Sequence, residues 1–212
     1  MPRIYEDLVQ FSTHFAPINL SFHQYFLPGD EPLLVHTGNV QQAKAFLPQL
    51  KAELKGKELK YIFISHFEAD ECGGLTYILE QFPNAKPICS EVTARQLGGF
   101  GLTNDVILKK PGEKLFTDNY ELVFFAYPSE MHLWEGLLSM ENRRGIFFSS
   151  DLMIRFGESA GSIVDSDWNA EINNIRPEQV PDPARLAKLQ DTLSQLKPKF
   201  VATGHGPCLR LK

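Results

Sequence analysis

The chain has 212 residues, 43% of them hydrophobic and 22% charged, with a formal net charge of -5. That length and apolar content supply a full core and leave no case for disorder, while the acidic balance and scattered Lys and Arg exclude a nucleic-acid backbone or an anionic membrane as partner. No apolar run approaches the ~20 residues that span a bilayer, and the N-terminal Met-Pro-Arg-Ile-Tyr-Glu-Asp lacks the apolar centre of a secretion signal, so a single cytoplasmic domain over residues 1–212 is expected.

Alternation over residues 19–27, a turn at Pro28-Gly29-Asp30 and a second strand over 33–36 closed by Gly38 predict a hairpin, and a helix is expected over 40–54. The apolar run at 61–65 reads as a buried strand. It stops at His66, Glu68 and Asp70, spaced two apart, with Glu71 and Cys72 next, and Gly73 and Gly74 are expected to break the chain before a helix over 75–82. Alternate residues at the carboxyl end of a strand project into one crevice, where open α/β sheets bind ligands. The acidic residues could equally do no more than complement a helix dipole.

A short strand at 87–90, a helix at 91–97, a strand at 106–109 and a hairpin over 114–127 follow. Three later places carry a candidate ligand at or just beyond a strand: Tyr127-Pro-Ser-Glu-Met-His132, Ile146-Phe-Phe-Ser-Ser-Asp151 and Phe200-Val-Ala-Thr-Gly-His205. Residues 151–180 are rich in Gly, Ser and Asp without periodicity and read as a flap, with Phe156 and Trp168 either making a pocket apolar or, for Trp168, anchoring the loop to the core. Asp182 and Pro183 start a last helix whose Leu186, Leu189, Leu193 and Leu196 form an inward stripe. Periodicity alone supports a mixed α/β domain.

Cys72, Cys89 and Cys208 are isolated and include no C-x-x-C, so neither a disulfide framework nor a zinc ribbon or rubredoxin-like centre is encoded; only Cys72 lies beside the acidic cluster. Lys109-Lys110 and Arg143-Arg144 read as solvated strand ends. Of the remaining histidines His14, His23 and His36, His36 is best placed to hydrogen-bond a ligand carboxylate, because it ends a strand in Leu-Leu-Val-His-Thr-Gly.

An H-x-[EH]-x-D motif followed by a distant His, an Asp ending a strand in S-x-D form and a late G-H-G resembles the metallo-β-lactamase superfamily over nearly the whole chain. Hydrolases of that superfamily usually carry His at the middle position. Glu68 there is similar to the di-iron domain of flavodiiron proteins and oxygen-binding di-iron proteins. The resemblance implies a four-layer αββα sandwich and two metal ions, with His66, Glu68 and His132 on one, Asp70 and His205 on the other, and Asp151 bridging. Glu71 stands where the motif usually has His, a departure that leaves its place among the ligands open.

Charge gives an independent reason for iron. Two divalent ions bring four positive charges, and Glu68, Asp70 and Asp151, with Glu71 as a further candidate, exceed what a hydrolase offers to keep its bound water acidic. Anionic oxygen donors favour ferric charge, so two iron ions are expected, with zinc or manganese as alternatives.

The resemblance further implies binding or reduction of a diatomic gas, oxygen or nitric oxide, with Asp70 and Asp151 nearest the chemistry, and suggests a homodimer. In flavodiiron proteins a flavodoxin-like domain supplies electrons through FMN. Here the sequence stops seven residues after His205 and shows no flavin-binding loop, so no FMN is expected in this chain and electrons would come from a flavoprotein or other donor in trans. The rival expectation is a binuclear hydrolase of an ester, lactone, thioester or phosphodiester, with Asp70 orienting the nucleophile. A third is a sensor without catalysis.

Overall fold

The first seven strands lie side by side in chain order in one sheet. β1 (Arg3–Tyr5), β2 (Leu8–Phe15), β3 (Leu20–Leu27) and β4 (Leu33–Val35) run antiparallel, and β5 (Tyr61–Phe63), β6 (Lys86–Cys89) and β7 (Ile107–Leu108) extend the sheet parallel to β4. Parallel neighbours need crossovers, supplied by helices α1 (Val40–Leu54), α2 (Ala69–Cys72), α3 (Leu75–Gln81) and α4 (Glu91–Gly99). This computed structural model describes residues 3–128 and 135–212, so the predicted ligand His132 lies outside the described residues.

A second sheet contains β8 (Lys114–Phe116), β9 (Glu121–Tyr127), β10 (Gly136–Glu141), β11 (Ile146–Ser150), β12 (Ile163–Ser166), β13 (Phe200–Thr203) and β14 (Cys208–Leu211), in the spatial order β12-β14-β13-β11-β10-β9-β8. Helices α5 (Trp168–Asn173) and α6 (Pro183–Ser194) pack on its outer face.

Strand alternation divides the interior into three cores. Ile62 and Ile64 pack with Phe46, Leu50 and Ile78 of the first helices. Phe63, between them in sequence, points the other way and joins Phe124, Phe148 and Phe200 of the second sheet. Phe147 and Val201 face outward again, to Trp168, Ile172, Leu189 and Leu193. Helix, sheet, sheet and helix follow in that order, the four-layer αββα sandwich. Each fully buried Phe or Leu contributes about 1.5–3 kcal/mol, so the aromatic layer between the sheets holds the two halves of the chain together. Among the described residues no helix is long and apolar enough to cross a membrane.

Helix α1 begins where the sequence places it, because Asn39 and Gln42 form a reciprocal cap: Asn39 Oδ1 accepts from the Gln41 and Gln42 amides at 3.0 Å, and Gln42 Oε1 accepts from the Asn39 amide at 2.8 Å. Gly73 and Gly74 form the turn that separates α2 from α3, as expected; both have negative φ, and a Cβ would meet Ala69 O at 2.4 Å and Ala43 Cβ at 2.5 Å, so close packing demands glycine there. The flap at 151–180 contains β12, paired with β14, and α5, capped by Asp167 on the Ala170 amide at 2.9 Å. Trp168 anchors it: the indole is buried, donates to Leu193 O at 3.0 Å and meets Phe147 edge-on, whereas Phe156 is 70% exposed.

Arg144 is not a solvated strand end. Its guanidinium donates to both Asp7 oxygens at 2.6 and 2.8 Å and lies 3.4 Å from the buried Glu141 carboxylate, tying the first turn of the chain to the turn between β10 and β11. Replacing Arg144 with Met is expected to lower unfolding free energy by about 3 kcal/mol, because Glu141 stays buried without its cation. Denaturant unfolding checks this; a midpoint shift worth less than about 1 kcal/mol would place the pair among weak surface bridges.

Candidate metal centre

From β5 the chain runs through Ile64 and Ser65 to His66, whose side chain is completely buried. His66 Nδ1 lies 3.0 Å from the Ser65 hydroxyl, which in turn lies 2.8 Å from the Ser150 hydroxyl. Nε2 is thereby turned toward carboxylates: Asp151 at 3.3 Å, Glu68 at 3.6 Å and Glu71 at 3.7 Å. The second imidazole is held the same way. His205 Nδ1 donates to the Ser21 carbonyl at 3.0 Å, which leaves Nε2 facing Asp151 at 3.3 Å and Asp70 at 3.4 Å. A carbonyl only accepts, so this bond sets the ring's tautomer and direction. Phe22 packs edge-on against His205 and Tyr127 against His66.

Asp151 stands between the two imidazoles because β11 ends irregularly. Its register against β13 skips Ser149, and Ser150 takes a left-handed φ of 49°, so the next side chain is re-aimed off the sheet. The glycines around His205 serve the same approach. A Cβ on Gly204 would sit 2.7 Å from Ser150 O, and Gly206 has φ +93° with Arg155 O 2.7 Å from where its Cβ would be.

Electrostatics follow from this crowding. Burial alone depresses the His66 imidazole, but Asp151 and Glu68 outweigh it and hold it at about 9. His205 is likewise lowered by burial and raised more by Asp151 and Asp70, to about 10. Burial, reinforced by Asp151 and Asp70, pushes Glu71 well above the usual carboxylate range. Two donor sets lie within mutual reach of single ions, ligand atoms within 4.8 Å of one another: His66, Glu71 and Asp151, and Asp70, Glu71 and His205. Glu71 Oε2 is buried with no hydrogen-bond partner among the described residues. Imidazoles paired with surplus carboxylates, one buried oxygen still unsatisfied, fit two cations that would replace the ring protons.

The structure thus brings together His66, Glu68, Asp70, Glu71, Asp151 and His205. It does not bring in His23, which braces the turn after His205 by a contact of 2.9 Å to Gly206 O and is pushed by burial down to about 4. His36 does not hold a ligand carboxylate: it is buried at a left-handed φ of 63°, burial pushes it down to about 3, and its Nε2 has no hydrogen-bond partner among the described residues. The Cys72 thiol donates to Glu68 O at 3.1 Å, and burial pushes it up to about 12, so it stays a protonated prop. A separate cavity, lined by Met153, Arg155, Phe156, Glu171 and Ile175 among others, includes none of these candidate metal residues. Sequence reading missed Ser65 and Ser150; the signal was a serine directly before His66 and another directly before Asp151.

The family model described as ODP family beta lactamase matches residues 20–206. Among curated proteins, putative diflavin flavoprotein A 1 of Thermosynechococcus vestitus is 24% identical over 96% of this chain and 37% of its own length. The anaerobic nitric oxide reductase flavorubredoxin of Vibrio vulnificus is 23% identical over 88% of this chain and 40% of its own. The chain spans little more than a third of the length of the first curated relatives it matches, 37% and 36%. Among solved structures, rubredoxin oxygen:oxidoreductase from Desulfovibrio gigas superposes with TM-score 0.80 at 16% identity, covering 99% of this chain and 57% of that one. The metal-soaked Flv1 flavodiiron core from Synechocystis sp. PCC6803 gives 0.80 at 20% identity, covering 96% and 55%.

Proposed function

The chain belongs to the ODP family beta lactamase group, and from that membership we propose that it holds two metal ions, iron in the cell, and binds or reduces oxygen or nitric oxide with electrons from a separate flavoprotein or other redox donor. The observation that carries this reading is one carboxylate, Asp151, placed 3.3 Å from each of two oppositely anchored imidazoles amid three further carboxylates. Similarity to proteins named nitric oxide reductase and oxygen oxidoreductase supports the choice of gas.

In this reading His66, Glu68 and His132 would hold one ion, Asp70 and His205 the other, with Asp151 available to both. A bound iron pair supplies redox electrons and open positions for a small gas. The chain's own residues do the positioning. Ser65 and the Ser21 carbonyl hold the two rings so that Nε2 is presented to the ions. Glu68 and Asp70, whose side chains are 32% and 20% exposed, are the carboxylates through which solvent protons would reach a bound pair.

Protein purified from iron-supplied anaerobic cells is expected to contain about two irons per chain and to gain a visible absorption band on exposure to oxygen. Zinc that resists exchange, together with turnover of a generic ester or phosphodiester, would overturn the reading in favour of a hydrolase.

A further inference from the structure

Glu71 occupies the motif position that usually carries His, and its surroundings differ from those of a solvated residue in a helix start. It is 2% exposed. The amide and hydroxyl of Thr37 both donate to its backbone carbonyl, at 2.8 and 3.2 Å, so the turn after β4 clamps α2 in place. That clamp sends the side chain inward, where its carboxylate belongs to both donor sets, with His66 and Asp151 on one side and with Asp70 and His205 on the other.

We propose that Glu71 is a second bridging carboxylate, one oxygen serving each ion, beside Asp151. This rests on the two-metal reading above. An imidazole presents one lone pair outside its own hydrogen bond, whereas a carboxylate presents donors on two oxygens, so the departure from His changes one-ion ligation into two-ion ligation. Glu71 Oε2 is buried without a hydrogen-bond partner among the described residues, 3.7 Å from His66 Nε2 and amid other carboxylates, a position that a cation would stabilise. With metal bound, Glu68, Asp70, Glu71 and Asp151 would carry four negative charges, which would balance two divalent ions. Such a set favours ions that prefer oxygen donors, iron and manganese, over zinc.

The test is titration of metal-free protein with manganese(II), read by equilibrium dialysis and by electron paramagnetic resonance. Wild type is expected to take up about two ions per chain as a magnetically coupled pair. Glu71→Gln, which keeps the size of the side chain, is expected to weaken both ions by at least about tenfold each and to abolish the coupled signal. Its metal-free form should melt no lower than wild type, because the amide leaves no uncompensated charge in the site. Should that variant not fold, Glu71→His carries the test: one ion held as in wild type, the other at least about tenfold weaker. Loss of a single ion in Glu71→Gln, or no change in either, overturns the bridge. Fewer than two ions in wild type would overturn the two-metal reading itself, a failure seen before any variant is made.

Discussion

Asp151→Asn is expected to empty both metal positions, with bound metal falling from about two ions per chain to well below one. The reason is geometric. Asp151 is the side chain whose two oxygens face different imidazoles, Oδ2 toward His66 Nε2 and Oδ1 toward His205 Nε2, each at 3.3 Å. An amide keeps one acceptor and turns the other position into a donor aimed at an imidazole nitrogen or a cation. It also removes one of the charges that make the site attractive to a divalent ion. By contrast, Glu68 lies 3.6 Å from His66 Nε2, and Glu68→Gln is expected to weaken one ion. Metal analysis of gel-filtered protein distinguishes the two cases. If Asp151→Asn retains one tightly held ion, Asp151 serves a single position and the bridging role is lost.

The metal-free protein is expected to lose stability as pH rises from about 6.5 toward 10, opposite to the metal-loaded form. His66 is held at about 9 and His205 at about 10, both above the unfolded imidazole. A group whose folded pKa is raised stabilises the fold below its unfolded value, and that contribution disappears as pH climbs through the folded one. Glu71 is shifted in the same direction and adds to the loss, while Asp70, held below its ordinary value through His205 despite burial, titrates well outside this window. Because both rings lean on the same Asp151, their contributions are shared, and the total is on the order of a few kcal/mol. Metal binding needs neutral rings and releases these protons, so loading strengthens with pH, and saturation at 1,000 times the dissociation constant adds about 4 kcal/mol per ion. Melting temperatures at pH 6, 8 and 10, with chelator and with iron, measure both arms. A chelated profile that is flat or rising over that range would mean the imidazoles do not carry protons against Asp151.

What was legible in the sequence was local. Asn39 and Gln42 state the start of α1, Asp182 with Pro183 states the start of α6, and the two-residue spacing of His66, Glu68 and Asp70 after an apolar strand states a cluster, because caps and strand alternation act over a few residues. Long-range pairing decided the rest. β12 is a strand because β14 lies beside it, with Ile163 opposite Cys208, and no periodicity within residues 151–180 carries that information. Trp168 anchors rather than lines a pocket because Leu193 O lies within reach of its indole, and Arg144 is bound because Asp7, at the other end of the chain, meets it.

The sequence by itself determined the fold class, the types of candidate ligand and the strand ends that bear them, since side-chain chemistry and short-range backbone preference suffice for these. Only the tertiary structure decided which way each of these side chains points. Glu71 is the clearest instance: a four-residue helix leaves its direction undetermined, and Thr37, 34 positions earlier, turns it inward by gripping its carbonyl. Direction is a property of contacts between distant segments, and those contacts exist only once the two sheets have closed on each other.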